Sequence, residues 1–363
     1  MSSVIASTRF SVLDRSRTRE GHETAGALRD TVDLAREAEA LGFHRFWVSE
    51  HHGVPGVAGS APTVLAAAVA AATSTIRVGS GGVMLPNHRP LVVAEQFGVL
   101  ASLFPGRIDM GLGRSVGFTD GVRRALGHSK EDAEDFPGRL AELLGWIDGT
   151  QQAHPGVHAH PAEGLRIPAY VLAIGEGASV AAAAGLPLVI GDLRGRDKVL
   201  RAIEVYRRDF RPSARAERPE VIVAGTVAVA GTEEAARRLL VPEAWAMAYS
   251  RTHGDFPPLA PAEAIERRTM TAKERELYER GLAGHIHGTE EQVTEQLERA
   301  IKETGANEVL VTTSTYDRGA LVDSLRRLAR VTCPHAGPVE RGAGPSPVGR
   351  AAKSSSPATG ADT

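Results

Sequence analysis

Residues 24–53 read TAGALRDTVDLAREAEALGFHRFWVSEHHG, and this stretch decides the fold class. In Thr24–Leu41 the apolar positions Leu28, Val32, Ala35, Ala38 and Leu41 keep one face of a helix. Gly42 follows at once, where a helix stops. Arg45–Ser49 is then a short apolar, aromatic run with strand character, and it ends in a polar cluster, Glu50-His51-His52. Helix, stop, strand and polar strand end is the unit of a parallel α/β protein.

The unit recurs outward in both directions. Strand-like runs are expected at Arg9–Leu13, Arg45–Ser49, Ile76–Gly79, Arg107–Leu112, Ala169–Ile174, Leu188–Ile190, Val221–Val229 and Glu308–Thr312. Helical stretches lie between them, at Thr24–Leu41, Pro62–Thr73, Leu91–Leu103, Lys130–Ile147, Lys198–Phe210, Thr232–Ala248, Glu290–Thr304 and Ala320–Val331. Eight strands with helices between them is the count of an α/β (β/α)₈ TIM barrel. A doubly wound sheet is the competing architecture, though it usually has fewer strands and one dominant glycine-rich first turn. The seventh gap holds a second helical stretch near Ala262–Gly281, so a helical insertion between strands 7 and 8 is expected over one barrel end. Residues 1–333 form the barrel in this reading. Residues 334–363 lack aromatics and are nearly half Pro, Gly and Ser, which predicts a disordered tail.

Composition narrows the function. The 363 residues are 42% hydrophobic and 24% charged, ordinary for a globular protein with a substantial core. Lys+Arg 42 against Asp+Glu 44 leaves no positive surplus for nucleic acid. The single cysteine, Cys333, excludes an internal disulfide framework and any multi-cysteine metal site within one chain. No apolar run is long enough to span a membrane, and Met1–Phe10 holds no apolar leader segment, so a cytoplasmic enzyme is expected.

Barrel chemistry sits at the strand C-termini. After strand two, Glu50, His51 and His52 could supply a general base with its orienting partner, metal ligands, or only a polar loop start. After strand three, Gly79-Ser80-Gly81-Gly82 implies unusual backbone or a close approach, and Leu85–Pro90 a rigid polar loop. After strand four, Gly113-Arg114-Ser115 could grip a phosphate. After strand five, Ile174-Gly175-Glu176-Gly177 opens an alanine-rich helix whose end could hold an anion. His154, His158 and His160 read as an exposed loop, and His285 and His287 as capping or loop residues.

These segments together resemble the bacterial-luciferase-like flavin-dependent monooxygenases, most closely the antibiotic-pathway, alkanal-monooxygenase-like subgroup. The resemblance is carried by Ser11–Asp14, Gly42–His52, Val78–His88, Ala94–Phe97, Pro105–Asp109 and Gly111–Arg114. It is dense from Phe10 to Arg114, traceable to Val331 and absent from the tail. It implies a (β/α)₈ barrel, usually dimeric, that uses reduced FMN from a separate reductase and O₂, through a C4a-peroxyflavin, to oxygenate a small organic substrate of specialised metabolism. It makes His51 the catalytic histidine with His52 secondary. Glu50, Gly81, Gly82, Arg114, Ile174 and Gly175 fall on the cofactor side. Arg114 would hold the phosphate, and Gly81-Gly82 would be a cis peptide, where two glycines add least steric load. No metal is implied. Two departures stand out: Leu172–Gly175 lacks the family's hydroxyl-bearing turn, and Gly191-Asp192-Leu193 lacks the subgroup's histidine and aromatic residues. A non-catalytic luciferase-like subunit and a deazaflavin-dependent oxidoreductase on the same barrel are the alternatives.

Overall fold

The computed structural model describes residues 4–173, 175, 177–191 and 196–333; Ile174, Asp192, Leu193 and the 334–363 tail lie outside the described residues. The strands are β1 (Arg9–Asp14), β2 (Arg45–Val48), β3 (Arg77–Ser80), β4 (Val83–Met84), β5 (Ile108–Gly113), β6 (Ala169–Ala173), β7 (Leu188–Gly191), β8 (Val221–Gly225), β9 (Val227–Val229), β10 (Ile286–Gly288) and β11 (Glu308–Val311). The helices run α1 (Thr24–Ala40), α2 (Pro62–Ala72), α3 (Pro90–Leu103), α4 (Asp120–Ala125), α5 (Phe136–Asp148), α6 (Gly177–Ala184) and α7 (Arg196–Asp209). They continue through α8 (Glu233–His253), α9 (Ala262–Glu266), α10 (Ala272–Leu282), α11 (Glu290–Thr304) and α12 (Arg318–Thr332).

Eight of these strands, all parallel, run in the order β3-β2-β1-β11-β8-β7-β6-β5, and β3 pairs with β5 to close the ring. Closure rules out the doubly wound sheet. The seam explains part of the glycine run. A Cβ on Gly79 would stand 2.2 Å from the Asp109 carbonyl oxygen, so only glycine lets β5 approach β3 there. Ser80 Oγ donates to the Gly111 carbonyl at 2.7 Å across the same seam. The Gly81–Gly82 peptide that follows is cis.

Two apolar layers hold the barrel. Leu13, Trp47, Tyr170, Val189, Ile222 and Leu310 fill its interior. A larger core, including Phe46, Val78, Phe97, Leu140, Ile190 and Leu328, lies between strands and helices. Strands buried on both faces read as the apolar runs seen in the sequence. The N-terminal mouth is plugged by charge. Arg45, at the start of β2, donates to Asp109 and Tyr170 at 2.8 Å and to Glu308 at 2.9 Å. Arg77 and Trp47 Nε1 complete the shell of Asp109. With that end sealed, the C-terminal mouth is left for chemistry.

The run Val221–Val229 is not one strand. It breaks at Thr226: β8 stays in the barrel, and β9 leaves it to pair in parallel with β10. Thr313 Oγ1 secures the break, accepting from Val227 N at 3.1 Å and donating to Val227 O. The insertion between β8 and β11 therefore carries this small sheet as well as α8–α10, with its own core of Leu240, Val241, Trp245, Ile265 and Leu282. His287 belongs to β10, not to a loop. His285 lies in the turn before β10, its Nε2 2.8 Å from the Gly281 carbonyl at the end of α10 rather than at the start of α11. Lys130–Ile147 divides into a 3-10 turn, Glu131–Asp135, and α5. His154, His158 and His160 are exposed as expected.

Candidate active site

The strand–helix periodicity delivers the polar strand ends to one mouth. β2 finishes at Val48, so Ser49–Gly53 is already loop and the alternation of a strand no longer applies. His51 and His52 therefore both line one cavity, where adjacent residues of a strand would face opposite ways. The cavity measures about 870 Å³, within the range of cofactor pockets. Arg114 past β5 and Arg15 past β1 line it, with Arg123 and Lys130 on the far side. Val54, Met84, Val116 and Phe118 supply apolar wall, and Met247 and Phe256 of the insertion cover it. The insertion is strapped down through Gly56 N to Phe256 O at 2.7 Å and Leu259 N to Thr18 O at 2.9 Å.

His51 is held by its backbone N–H donating to Gly59 O at 2.9 Å, with Nδ1 3.2 Å from Ser49 Oγ. Burial, then the charges of Arg15 and Arg17, push its pKa down to about 4. The ring is neutral at physiological pH, where an unperturbed imidazole would titrate. It can accept a proton or hold one partner by hydrogen bond, but it is no standing acid.

Glu50 is 2% exposed and stands behind the histidines; it is not among the residues lining the cavity. Its Oε1 lies 2.7 Å from His52 Nε2 and 2.8 Å from His88 Nε2, and its Oε2 accepts from Met84 N at 3.0 Å. Burial pushes this carboxyl up, but the hydrogen bonds from His52 and His88 outweigh it and hold the group below the usual range. The cluster has the composition of a metal-binding set. Both imidazoles nevertheless meet the same carboxylate oxygen at hydrogen-bond distance. Glu50 thus ties the β2 end to the Val83–His88 segment that follows Gly81–Gly82.

Gly82 is set by the barrel wall, a Cβ there meeting the Gly111 carbonyl at 2.8 Å. Gly175 occupies a turn with φ of 71° and open space around it. Neither it nor Gly81 and Gly82 is among the residues lining the cavity, and Ile174 lies outside the described residues. The structure adds three residues that the sequence reading did not assign to the site: Arg15, His88 and Glu243. His88 lay in a loop read only as rigid and polar, and nothing in its local spacing points to Glu50. Glu243, on α8, forms ion pairs with Arg15 at 2.9 Å and Arg17 at 3.1 Å. Burial raises the Glu243 carboxyl, and those two arginines more than offset it, leaving it below its usual value.

The family model for luciferase-like monooxygenases matches residues 8–308. A luciferase-like monooxygenase of Escherichia coli K12 is 36% identical over 319 residues, covering 87% of this chain and 94% of its own. An N-acetyl-S-alkylcysteine monooxygenase of Bacillus subtilis is 38% identical over 240 residues, covering 64% of this chain and 71% of its own. Among solved structures, apo-MsnO8 superposes with a TM-score of 0.78 at 30% identity, over 90% of this chain and 98% of its own. A closed barrel whose mouth carries Glu-His-His, matched by the family model across most of its length, places this chain in the luciferase-like monooxygenase family.

Proposed function

We infer that the protein is a two-component monooxygenase that takes reduced FMN from a separate reductase and oxygenates a small organic substrate of specialised metabolism. The observation that carries this reading is the cavity itself, with a neutral histidine on one wall and Arg114 past β5 on another. The lining fits a phosphorylated flavin: cationic Arg114 and Lys130 for the phosphate, and apolar Val54, Met84 and Val116 for a flat ring. When bound, reduced FMN supplies the electrons that activate O₂. The protein's share is to bind, orient and exclude water. His51, with Nδ1 beside Ser49 Oγ, has one ring nitrogen to accept or hold a proton at the cavity. Glu50 keeps His52 and the Met84 segment in place around it.

The relative named for N-acetyl-S-alkylcysteine makes thioethers the first substrates to assay. Exposed Val64 on α2 and Val92, Val99 and Leu103 on α3 support a homodimer through these neighbouring helices.

The test is anaerobic titration of the purified chain with reduced FMN, followed by admission of ¹⁸O₂ with a thioether. Saturable binding and one labelled oxygen atom in the product are expected. Absence of saturable binding overturns the reading in favour of a non-catalytic subunit. Turnover with a deazaflavin in the absence of oxygen would make the protein an oxidoreductase of that kind.

A further inference from the structure

Arg15 lies where two cavities meet. It lines the 870 Å³ site and also a smaller chamber of about 210 Å³ beneath α8, bounded by the strand ends at Gly191, Gly225 and Thr312. The chamber is walled mainly by small side chains and is lined by Glu243 and His285 as well.

Among the described residues, the charges around Arg15 do not balance. Arg15 and Arg17 both converge on Glu243. Arg17 is the more fully engaged: it donates through Nε to Glu243 and through one terminal nitrogen to the Gly56 carbonyl, with a longer contact of 3.4 Å to the Pro257 carbonyl. Arg15 is less so. Among the described residues it has, besides its ion pair, only long contacts, 3.4 Å to Thr312 O and 3.3 Å to Ser314 Oγ. Its Nε is buried with no hydrogen-bond partner among the described residues. The acidic neighbours among the described residues are spent. Glu50 is bonded to His52 and His88, and Asp14 accepts from Thr31 and from Ser16 N. Glu131 and Glu134 sit on the exposed rim of the larger cavity. Two guanidiniums share one carboxylate beside a neutral His51, which leaves one positive charge facing a half-open chamber. An excess charge there is costly until an anion pairs with it, and a guanidinium with free N–H groups is built to take a carboxylate in a fork.

We propose that Arg15 anchors the carboxylate of an organic-acid substrate, whose acid-bearing end enters the chamber beneath α8. Glu243 keeps Arg15 pointed there while the site is empty. A chamber of this volume has room for a carboxylate with a few carbons. The proposal rests on the monooxygenase reading of the same cavity and adds the class of substrate to it.

Matched acid and amide pairs test it on the full chain by isothermal titration, using 3-phenylpropanoate and 3-phenylpropanamide, then N-acetyl-S-methylcysteine and its carboxamide. The acids should bind about tenfold tighter than the amides or better. Arg15→Gln should abolish that preference, and Arg15→Lys should restore part of it. Equal affinities, absence of acid binding at millimolar concentration, or a preference that survives Arg15→Gln each overturn the proposal. Titrating Arg15→Gln with reduced FMN and reduced riboflavin separates the other anion source. A loss confined to FMN would put the flavin phosphate on Arg15 and overturn the proposal too. Failure of the wild-type chain to bind FMN would refute the flavin reading alone, because the acid–amide comparison needs no flavin.

Discussion

Acid should destabilise the fold through His51, and His51→Gln should escape that part of the loss. Burial, then Arg15 and Arg17, hold the folded imidazole at about 4 against 6.5 when free. Between those values the unfolded chain binds a proton that the folded chain does not, so stability falls as pH drops through the window. From about pH 7 to about pH 5 the whole effect is worth ~2 kcal/mol. The ring keeps a partly open face toward the cavity; screening there brings the expectation to ~1 kcal/mol. His44 is also held at about 4, by burial and the charges of Arg45 and Arg9. It acts in the same direction in both proteins, so the measurement is a difference. Urea unfolding at three pH values across that range should show the parent losing ~1 kcal/mol more than the variant. Parallel losses would refute the neutral ring. The same variant should bind reduced FMN normally and form product roughly 10²-fold more slowly, since the proton-holding atom is gone and the cavity wall remains.

Arg114→Ala should weaken reduced FMN roughly 10- to 100-fold in an anaerobic titration, through loss of a charge-assisted phosphate contact; unchanged affinity would move the phosphate elsewhere, with the helix start beyond Gly175 next in line. Glu50→Gln turns an acceptor of three N–H groups into a side chain with one donor end, and should cost ~2–3 kcal/mol in urea unfolding. A loss below ~0.5 kcal/mol would mean that Glu50 does not hold the Met84 segment. Asp109→Ala strips Arg45, Arg77 and Trp47 of a shared partner in the sealed barrel end and should cost ~3–5 kcal/mol without altering the acid–amide preference; a changed preference would show the two ends of the barrel to be coupled.

The barrel strands were readable because a parallel strand packed on both faces has no polar side to hide. Phe46-Trp47-Val48 and Val221-Ile222-Val223 are apolar for that reason. The same rule explains the misreading at Val221–Val229. β8 and β9 are both buried on both faces, so the apolar pattern runs on across Thr226 while the chain changes sheets. The partner that makes β9 a strand is only three residues long and lies some sixty positions away. α4, six residues with no buried side chain, leaves no periodic trace.

The site divides along the same line between local and distant causes. Glu50, His51 and His52 were visible because they are consecutive at a strand end, and Arg114 because it follows glycines at another. What sets their chemistry comes from elsewhere in the chain. His88 reaches Glu50 from the segment that follows β3, the strand paired with β2, and His51 is neutral because the fold buries it and sets Arg15 and Arg17, just past β1, beside it. Arg15 follows β1 at the mouth, and among the described residues the insertion offers it one carboxylate, Glu243 of α8. The residue that sets which substrates enter is therefore legible only from a charge balance taken after folding. Composition hides it, because two arginines sharing one carboxylate sit within a chain whose formal net charge is −2.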